Sequence, residues 1–319
     1  GKTTTKELIN TVLSEKYTTT ATLGNLNNHI GVPLTLLSMT PNTEIGIVEM
    51  GANHQKEIEF LCTIAAPDFG YITNFGKAHL EGFGGIEGVV KGKSELYAFL
   101  QEHHKVAFIN PKDPIQVEKT LDITTICFPE YLKFLGADPF VKIASKDGEI
   151  ESNLIGAYNY TNILAAITIG IHFKLKHKEI KKAIENYIPT NNRSQIIEKE
   201  SNHIILDAYN ANPSSMEVAL ENFSKLKKAS KVVILGDMFE LGEQSAIEHQ
   251  VIVNLADAMP FSQTLYVGEH FYKAITQNKQ FRNFEALKAY ITDNPLIQES
   301  ILIKGSRGMQ LERVLEFLN

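Results

Sequence analysis

The chain has 319 residues, 43% hydrophobic and 21% charged. That composition argues against disorder, and at about 100–200 residues per domain the length suggests two domains. A net charge of −6 argues against broad nucleic-acid binding; two distant cysteines, Cys62 and Cys127, argue against a disulfide framework or cysteine metal site and fit a reducing cytosol.

The predicted elements alternate. Strands are expected at 18–21, 44–50, 69–73, 106–109 and 123–128, and helices at 4–15, 33–39, 55–65 and 85–100. This order predicts an α/β domain with a mostly parallel sheet. Residues 140–154 read as two short strands around Lys146-Asp147-Gly148, because Asp-Gly favours a hairpin. Helices follow at 159–172 and 178–187. The polar run Pro189-Thr190-Asn191-Asn192 marks a boundary, giving domains 1–190 and 191–319. Strands then recur at 203–207, 231–235, 264–267 and 301–304, with helices at 214–226, 244–258, 284–292 and 309–318. That is a smaller, doubly wound Rossmann-like domain. No apolar run approaches the roughly 20 residues of a membrane span. The sequence opens without an initiator Met or signal peptide.

Gly1-Lys2-Thr3-Thr4 matches the second half of the phosphate-loop pattern, in which backbone N–H groups and a helix N-terminus hold phosphates, Lys reaches the β/γ-phosphates and the hydroxyl holds Mg²⁺. The first half and its preceding strand are absent, so a frayed polar terminus accounts for this motif about as well. The run Ile45–Gly51 is an apolar strand ending in Glu49, where ligands bind in open α/β sheets. Beside a phosphate loop, Glu49 suits an Mg²⁺ ligand or a water-orienting group; a solvated strand-end Glu is the alternative.

Residues 74–84 form a Gly-rich loop with His79 and Glu81, though a lone loop His is more often surface. Lys93 shares a predicted helix face with Val89, Leu96, Tyr97 and Leu100. It either snorkels to water or has a neutralised amine, which can take up CO₂ as a metal-binding carbamate.

The run 24–31 is rich in amides (Asn25, Asn27, Asn28), which read neutral polar substrates or simply build a turn. Asn159 suits a helix cap; Asn162, one turn on, is not explained that way and could pair with it on an adenine edge. Asp207-Ala208-Tyr209-Asn210-Ala211-Asn212-Pro213, residues 236–242, and Lys304-Gly305-Ser306-Arg307-Gly308 each follow a strand of the second domain. They are expected to gather on one sheet edge, where the cations suit a carboxylate or phosphate.

In order, residues 1–7, 24–35, 49–52, 79–84, 93–95, 159–162, 207–213 and 304–308 resemble the Mur ligases, and within them the branch that adds D-Ala-D-Ala to UDP-N-acetylmuramoyl-tripeptide. The resemblance covers essentially the whole chain. It implies a P-loop-type central ATPase domain followed by a Rossmann-like ligase domain, and an ATP-dependent amide-bond ligase of the bacterial cytoplasm, monomeric, working through an acyl phosphate with D-Ala-D-Ala as the amine.

By that resemblance Gly1, Lys2, Thr3 and Thr4 bind ATP. Thr3 with Glu49 holds one Mg²⁺, and His79 with carbamylated Lys93 a second. Lys2, Lys93 and His79 are the catalytic set. Asn159 and Asn162 contact adenine; Asp207, Asn210 and Asn212 line the nucleotide. Asn25, Asn27 and Asn28 meet the UDP-muramoyl peptide, and Lys304, Ser306 and Arg307 the incoming dipeptide.

The sequence departs from the family at Tyr158, where relatives often carry His, and in having no N-terminal domain. The expectation is therefore a fragment that binds ATP poorly and turns over little alone. Two other readings are a sister enzyme, either another Mur-type amino-acid ligase or a folylpolyglutamate synthetase, and a catalytically dead binding module. Intact Thr3, Glu49, His79 and Lys93 speak against the last.

Overall fold

The computed structural model describes residues 1–76, 80–190, 192–228 and 230–318. The chain divides into two compact units, Gly1–Tyr187 and Ile188–Asn319. The sequence placed the boundary at 190; Tyr187 is held in the first unit by its carbonyl, which accepts from Asn153 Nδ2 at 3.3 Å.

The first unit runs α1 (Lys2–Leu13), β1 (Thr19–Ala21), α2 (Gly31–Leu37), β2 (Ile45–Ile47), α3 (Glu57–Ala65), β3 (Phe69–Tyr71), α4 (Leu80–Phe83), α5 (Ile86–Glu102), β4 (Val106–Ile109), α6 (Pro114–Lys119), β5 (Thr124–Cys127), β6 (Lys133–Ala137), β7 (Phe140–Ser145), β8 (Gly148–Ile155), α7 (Asn159–His172) and α8 (His177–Asn186). β1 pairs parallel with β2, and β3, β4 and β5 form a second parallel sheet. β6, β7 and β8 are antiparallel. The expected hairpin is present, and Gly148 takes the left-handed conformation its turn requires (φ 97°).

Two apolar layers sandwich these parallel strands. On one face Leu8 and Val12 of α1 pack with Ile163, Ala166 and Ile167 of α7. α7 is buried nearly all round, and Gly170 lets α1 approach: a Cβ there would lie 2.7 Å from Val12 Cγ1. On the other face Val32, Ile58, Leu61 and Cys62 pack with Tyr97 and Leu100. Ile45 and Ile47 join the first layer, Val48 and Met50 the second. That is the period-two alternation of a strand covered on both faces.

The second unit runs β9 (Gln195–Lys199), β10 (Asn202–Asp207), α9 (Pro213–Lys225), β11 (Lys231–Gly236), α10 (Ser245–Asp257), β12 (Gln263–Val267), β13 (Lys279–Phe281), α11 (Phe284–Asp293) and β14 (Ser300–Lys304). The sheet order is β13-β12-β11-β14-β10-β9, parallel except for β9. The expected last helix is instead two 3-10 stretches, Arg307–Met309 and Leu311–Phe317. Gln310, in the left-handed region (φ 49°), separates them. Among the described residues no helix is long and apolar enough to cross a membrane.

Candidate functional site

α1 begins at Lys2, and Thr5 N donates to Gly1 O at 2.9 Å, closing its first turn. The N-terminal N–H groups of a helix lack intrahelical partners and carry partial positive charge, so this end favours an anion. Thr3 Oγ1 donates to Glu49 Oε1 at 3.1 Å. Asn27 Nδ2 donates to the same oxygen at 2.7 Å, and Glu49 N donates to Thr22 Oγ1 at 2.9 Å. Glu49 is 6% exposed, and its Oε2 is buried without a hydrogen-bond partner. A buried carboxylate with an orphaned oxygen is costly unless a cation reaches it. Thr3 and Glu49 therefore fit a hard, oxygen-seeking ion such as Mg²⁺.

Lys2, Glu49, Asn74 and Lys93 line one cavity of about 530 Å³. Lys93 is half-buried on α5 and donates to Asn74 O at 2.9 Å. Burial, helped by the Lys2 ammonium, pushes its pKa down from 10.5 to about 8. At pH 7.5 about a quarter of such amines are neutral, against about one in a thousand for an unperturbed lysine. His79 lies outside the described residues. Among the described residues no group of three or more His, Cys, Asp and Glu is arranged to hold a metal ion.

Asn159 and Asn162 come together, but inward. Thr5 Oγ1 donates to Asn162 Oδ1 at 3.0 Å, Asn162 Nδ2 to Asn159 Oδ1 at 2.8 Å, and Asn159 Nδ2 to Ile155 O at 2.8 Å. They are 1% and 5% exposed, and this chain of bonds ties α7 to the first turn of α1. The 24–31 amides also have internal work. Besides the Asn27 bond to Glu49, Asn28 Oδ1 accepts from Ile30 N and Gly31 N at 3.1 and 2.9 Å and so opens α2. Asn25 is exposed.

In the second unit Asp207, Gly236 and Lys304 do end adjacent parallel strands on one edge. Lys304, 2% exposed, is ion-paired with Asp207 and donates to Asn210 O at 3.3 Å. That pairing runs against a direct role for Lys304 in binding a substrate carboxylate. Asn212 caps α9, accepting from Ser215 N at 2.9 Å, and Asn210 Oδ1 accepts from Ala211 N at 2.9 Å. Ser306 is buried and accepts from Phe239 N at 3.0 Å. Arg307 remains exposed; its guanidinium lies 5.2 Å from the Tyr209 ring centroid and donates to the Tyr209 hydroxyl at 3.4 Å.

Sequence reasoning missed Arg193, whose guanidinium stacks 3.8 Å above the other residue it shares with Arg307, Tyr209, and whose Nε is buried without a partner. Only its place in the polar boundary run signalled it. Thr5 and Thr22 were missed because a hydroxyl inside an apolar pattern carries no sequence signature.

Residues 1–170 match the Mur ligase middle domain, and residues 192–307 the Mur ligase, glutamate ligase domain. The UDP-N-acetylmuramoyl-tripeptide–D-alanyl-D-alanine ligase of Bacillus subtilis is 30% identical over all of this chain and 74% of its own length. The crystal structure of MurF from Acinetobacter baumannii has a TM-score of 0.88 at 29% identity, over all of this chain and 74% of that one. MurF ligase from Thermotoga maritima in complex with ADP has a TM-score of 0.86 at 25% identity, over 99% of this chain and 77% of that one.

Proposed function

The chain belongs to the Mur ligase family, and on that premise we propose how its residues join D-Ala-D-Ala to UDP-N-acetylmuramoyl-tripeptide, driven by ATP, in peptidoglycan precursor synthesis. The tripeptide's terminal carboxylate attacks the γ-phosphorus and ADP leaves. The dipeptide amine then attacks the acyl carbon of the resulting acyl phosphate. The tetrahedral intermediate expels phosphate, which carries away one carboxylate oxygen, and the amine loses a proton. A cytoplasmic location belongs to the same proposal.

The observation that carries the reading is the Thr3–Glu49 pair at the start of α1. The helix N-terminus and Lys2 hold the β/γ-phosphates, opposing their charge as the carboxylate approaches. Thr3 and Glu49 hold Mg²⁺, which supplies charge neutralisation of the phosphates. Lys93 takes up CO₂ as a carbamate: the neutral amine attacks the carbon and releases a proton. Its sign then changes from repelling Lys2 to attracting it. With His79 this carbamate is proposed to hold a second Mg²⁺.

Asn159 and Asn162 position α1 through their internal bonds. Asn25 is the amide left facing outward toward the UDP-muramoyl peptide, with Asn27 and Asn28 shaping that loop. In the second unit Arg307 offers its charge to the dipeptide carboxylate. Asp207, Asn210, Asn212, Lys304 and Ser306 hold the surrounding loops.

The experiment is magnesium- and bicarbonate-dependent phosphate release by the protein carrying this chain. D-Ala-D-Ala is compared as acceptor with meso-diaminopimelate and L-Lys. Release with D-Ala-D-Ala alone supports the reading. Release with another amine points to a sister ligase, and no release with any points to a binding module.

A further inference from the structure

Residues 236–242 follow β11 and take no part in the chemistry above, yet Asp237 and Met238 are 3% and 0% exposed. The peptide joining these two residues is held from both sides. Met238 N donates at 3.0 Å to Nε2 of His249, a fully buried residue of α10. Asp237 O accepts from Ser306 N at 3.1 Å. Phe239 N donates to Ser306 Oγ at 3.0 Å, so Ser306 is gripped at two points. The Asp237 carboxylate accepts from His270 N and Phe271 N at 3.0 and 2.9 Å, which ties the same loop to the 3-10 stretch Phe271–Lys273 after β12. Gly268 makes room for that carboxylate: a Cβ there would lie 2.2 Å from Asp237 Cγ.

We propose that His249 is a positioning residue: through the single peptide plane between Asp237 and Met238 it sets Ser306, and with it Arg307, for the carboxylate of the incoming dipeptide. A trans peptide is planar, and its N–H and C=O point in opposite directions. Removing the acceptor on the N–H side lets the plane turn, and the C=O on the far side then leaves Ser306 N. Ser306 adjoins Arg307, which opens the 3-10 stretch Arg307–Met309. Gly308 packs against the Phe239 ring, where a Cβ would lie 2.8 Å from Cε2, so a shift of residues 236–239 reaches that stretch as well.

The role requires one protonation state. An N–H donor needs a lone pair on Nε2, so the imidazole proton sits on Nδ1, which lies 2.7 Å from Ser245 O. Asp237 Oδ1 is 3.7 Å from Nε2, beyond hydrogen-bond reach. Burial lowers the His249 pKa below its usual 6.5, outweighing the Ser245 carbonyl and the Asp237 and Glu248 carboxylates, and keeps the ring neutral at pH 7. The same tautomer excludes an activated nucleophile at Ser245, whose Oγ is 3.3 Å from Nδ1 and faces a proton rather than a base. The loop coupling stands on these bonds alone. Its consequence for the dipeptide rests on the ligase reading, in which Arg307 meets that carboxylate.

The protein carrying this chain is compared with His249→Phe, which keeps a ring and deletes the acceptor, and with His249→Gln, whose amide oxygen restores one. In His249→Phe the amides of Met238, Phe239 and Ser306 are expected to exchange at least about tenfold faster, while those of β10 do not change. The KM for D-Ala-D-Ala rises about tenfold, the KM for ATP stays within about twofold, and His249→Gln reverses most of the exchange and dipeptide effects. Unchanged Ser306 exchange overturns the coupling, whatever Met238 does. So does an equal rise in both KM values, or a folded His249→Gln that is no better than His249→Phe. Long-range ¹H–¹⁵N spectra of the wild type need no variant to fold: a proton on Nδ1 with Nε2 bare is expected, and a proton on Nε2 overturns the proposal. A wild type that releases no phosphate with D-Ala-D-Ala overturns the ligase reading and the dipeptide role with it, while the exchange result still decides the coupling.

Discussion

Asn162→Ala separates a positioning role from an adenine contact. The substitution deletes two hydrogen bonds, from Thr5 Oγ1 at 3.0 Å and to Asn159 Oδ1 at 2.8 Å. It strands the Thr5 hydroxyl and the Asn159 carbonyl, at 2% and 1% exposure. Each stranded group costs about 1–3 kcal/mol, and partial relaxation brings the sum to about 3 kcal/mol. In a unit of this size that lowers its melting temperature by about 6–12 °C.

Thr5→Val alone costs about 1 kcal/mol. In the Asn162→Ala background it costs nothing or is favourable, because the orphaned hydroxyl is gone, so the coupling is about 1–2 kcal/mol. Denaturant unfolding of the four proteins measures this, with MgADP titration alongside. A stability loss under about 0.5 kcal/mol, no coupling and lost ADP affinity would refute the positioning role and leave adenine as the sole purpose of the pair.

Glu49→Gln removes the orphaned buried carboxylate oxygen. Mg²⁺ without nucleotide raises the melting temperature of the wild type and not of this variant; an equal rise in both rejects the ion site. ¹³C-labelled bicarbonate yields a carbamate NMR signal that grows from pH 7 to 9 as the Lys93 amine loses its proton near pH 8, and Lys93→Ala abolishes it. No signal in that window rejects the carbamate. The same depressed pKa means the folded state binds fewer protons, so this group's contribution to stability rises with pH between about 8 and 10.5. Lys304→Met leaves Asp207 without its buried partner and costs about 3 kcal/mol, largely recovered by adding Asp207→Asn. Unchanged stability with a raised KM for D-Ala-D-Ala would instead make Lys304 a substrate residue.

Periodicity carried the longer elements because burial imposes it: α5, α7 and β11 are read directly from their apolar spacing. It missed α4, read as part of a loop, and α6, β6, β9 and β13. α6 is six residues started by the Asp113 cap, which accepts from Ile115 N and Gln116 N. β9 and β13 take their place from sheet pairing more than from local pattern. At the site, residue type pointed to Thr3 and Glu49 but left a frayed terminus and a solvated strand-end Glu equally open; the buried bond between the two side chains separates these readings.

Residue type could not separate an amide facing ligand from one facing the fold. Asn27, Asn28, Asn162 and Asn212 all have partners inside the chain. Lys304 misled for a related reason: a cation after a strand looks free until Asp207 on the neighbouring strand is placed beside it.

The acyl phosphate is the center of the account, and oxygen transfer tests it most directly. UDP-N-acetylmuramoyl-tripeptide labelled with ¹⁸O in its terminal carboxylate is turned over with ATP, Mg²⁺ and D-Ala-D-Ala by the protein carrying this chain. Phosphate bearing one ¹⁸O is the predicted product. Unlabelled phosphate alongside new amide bond would contradict it.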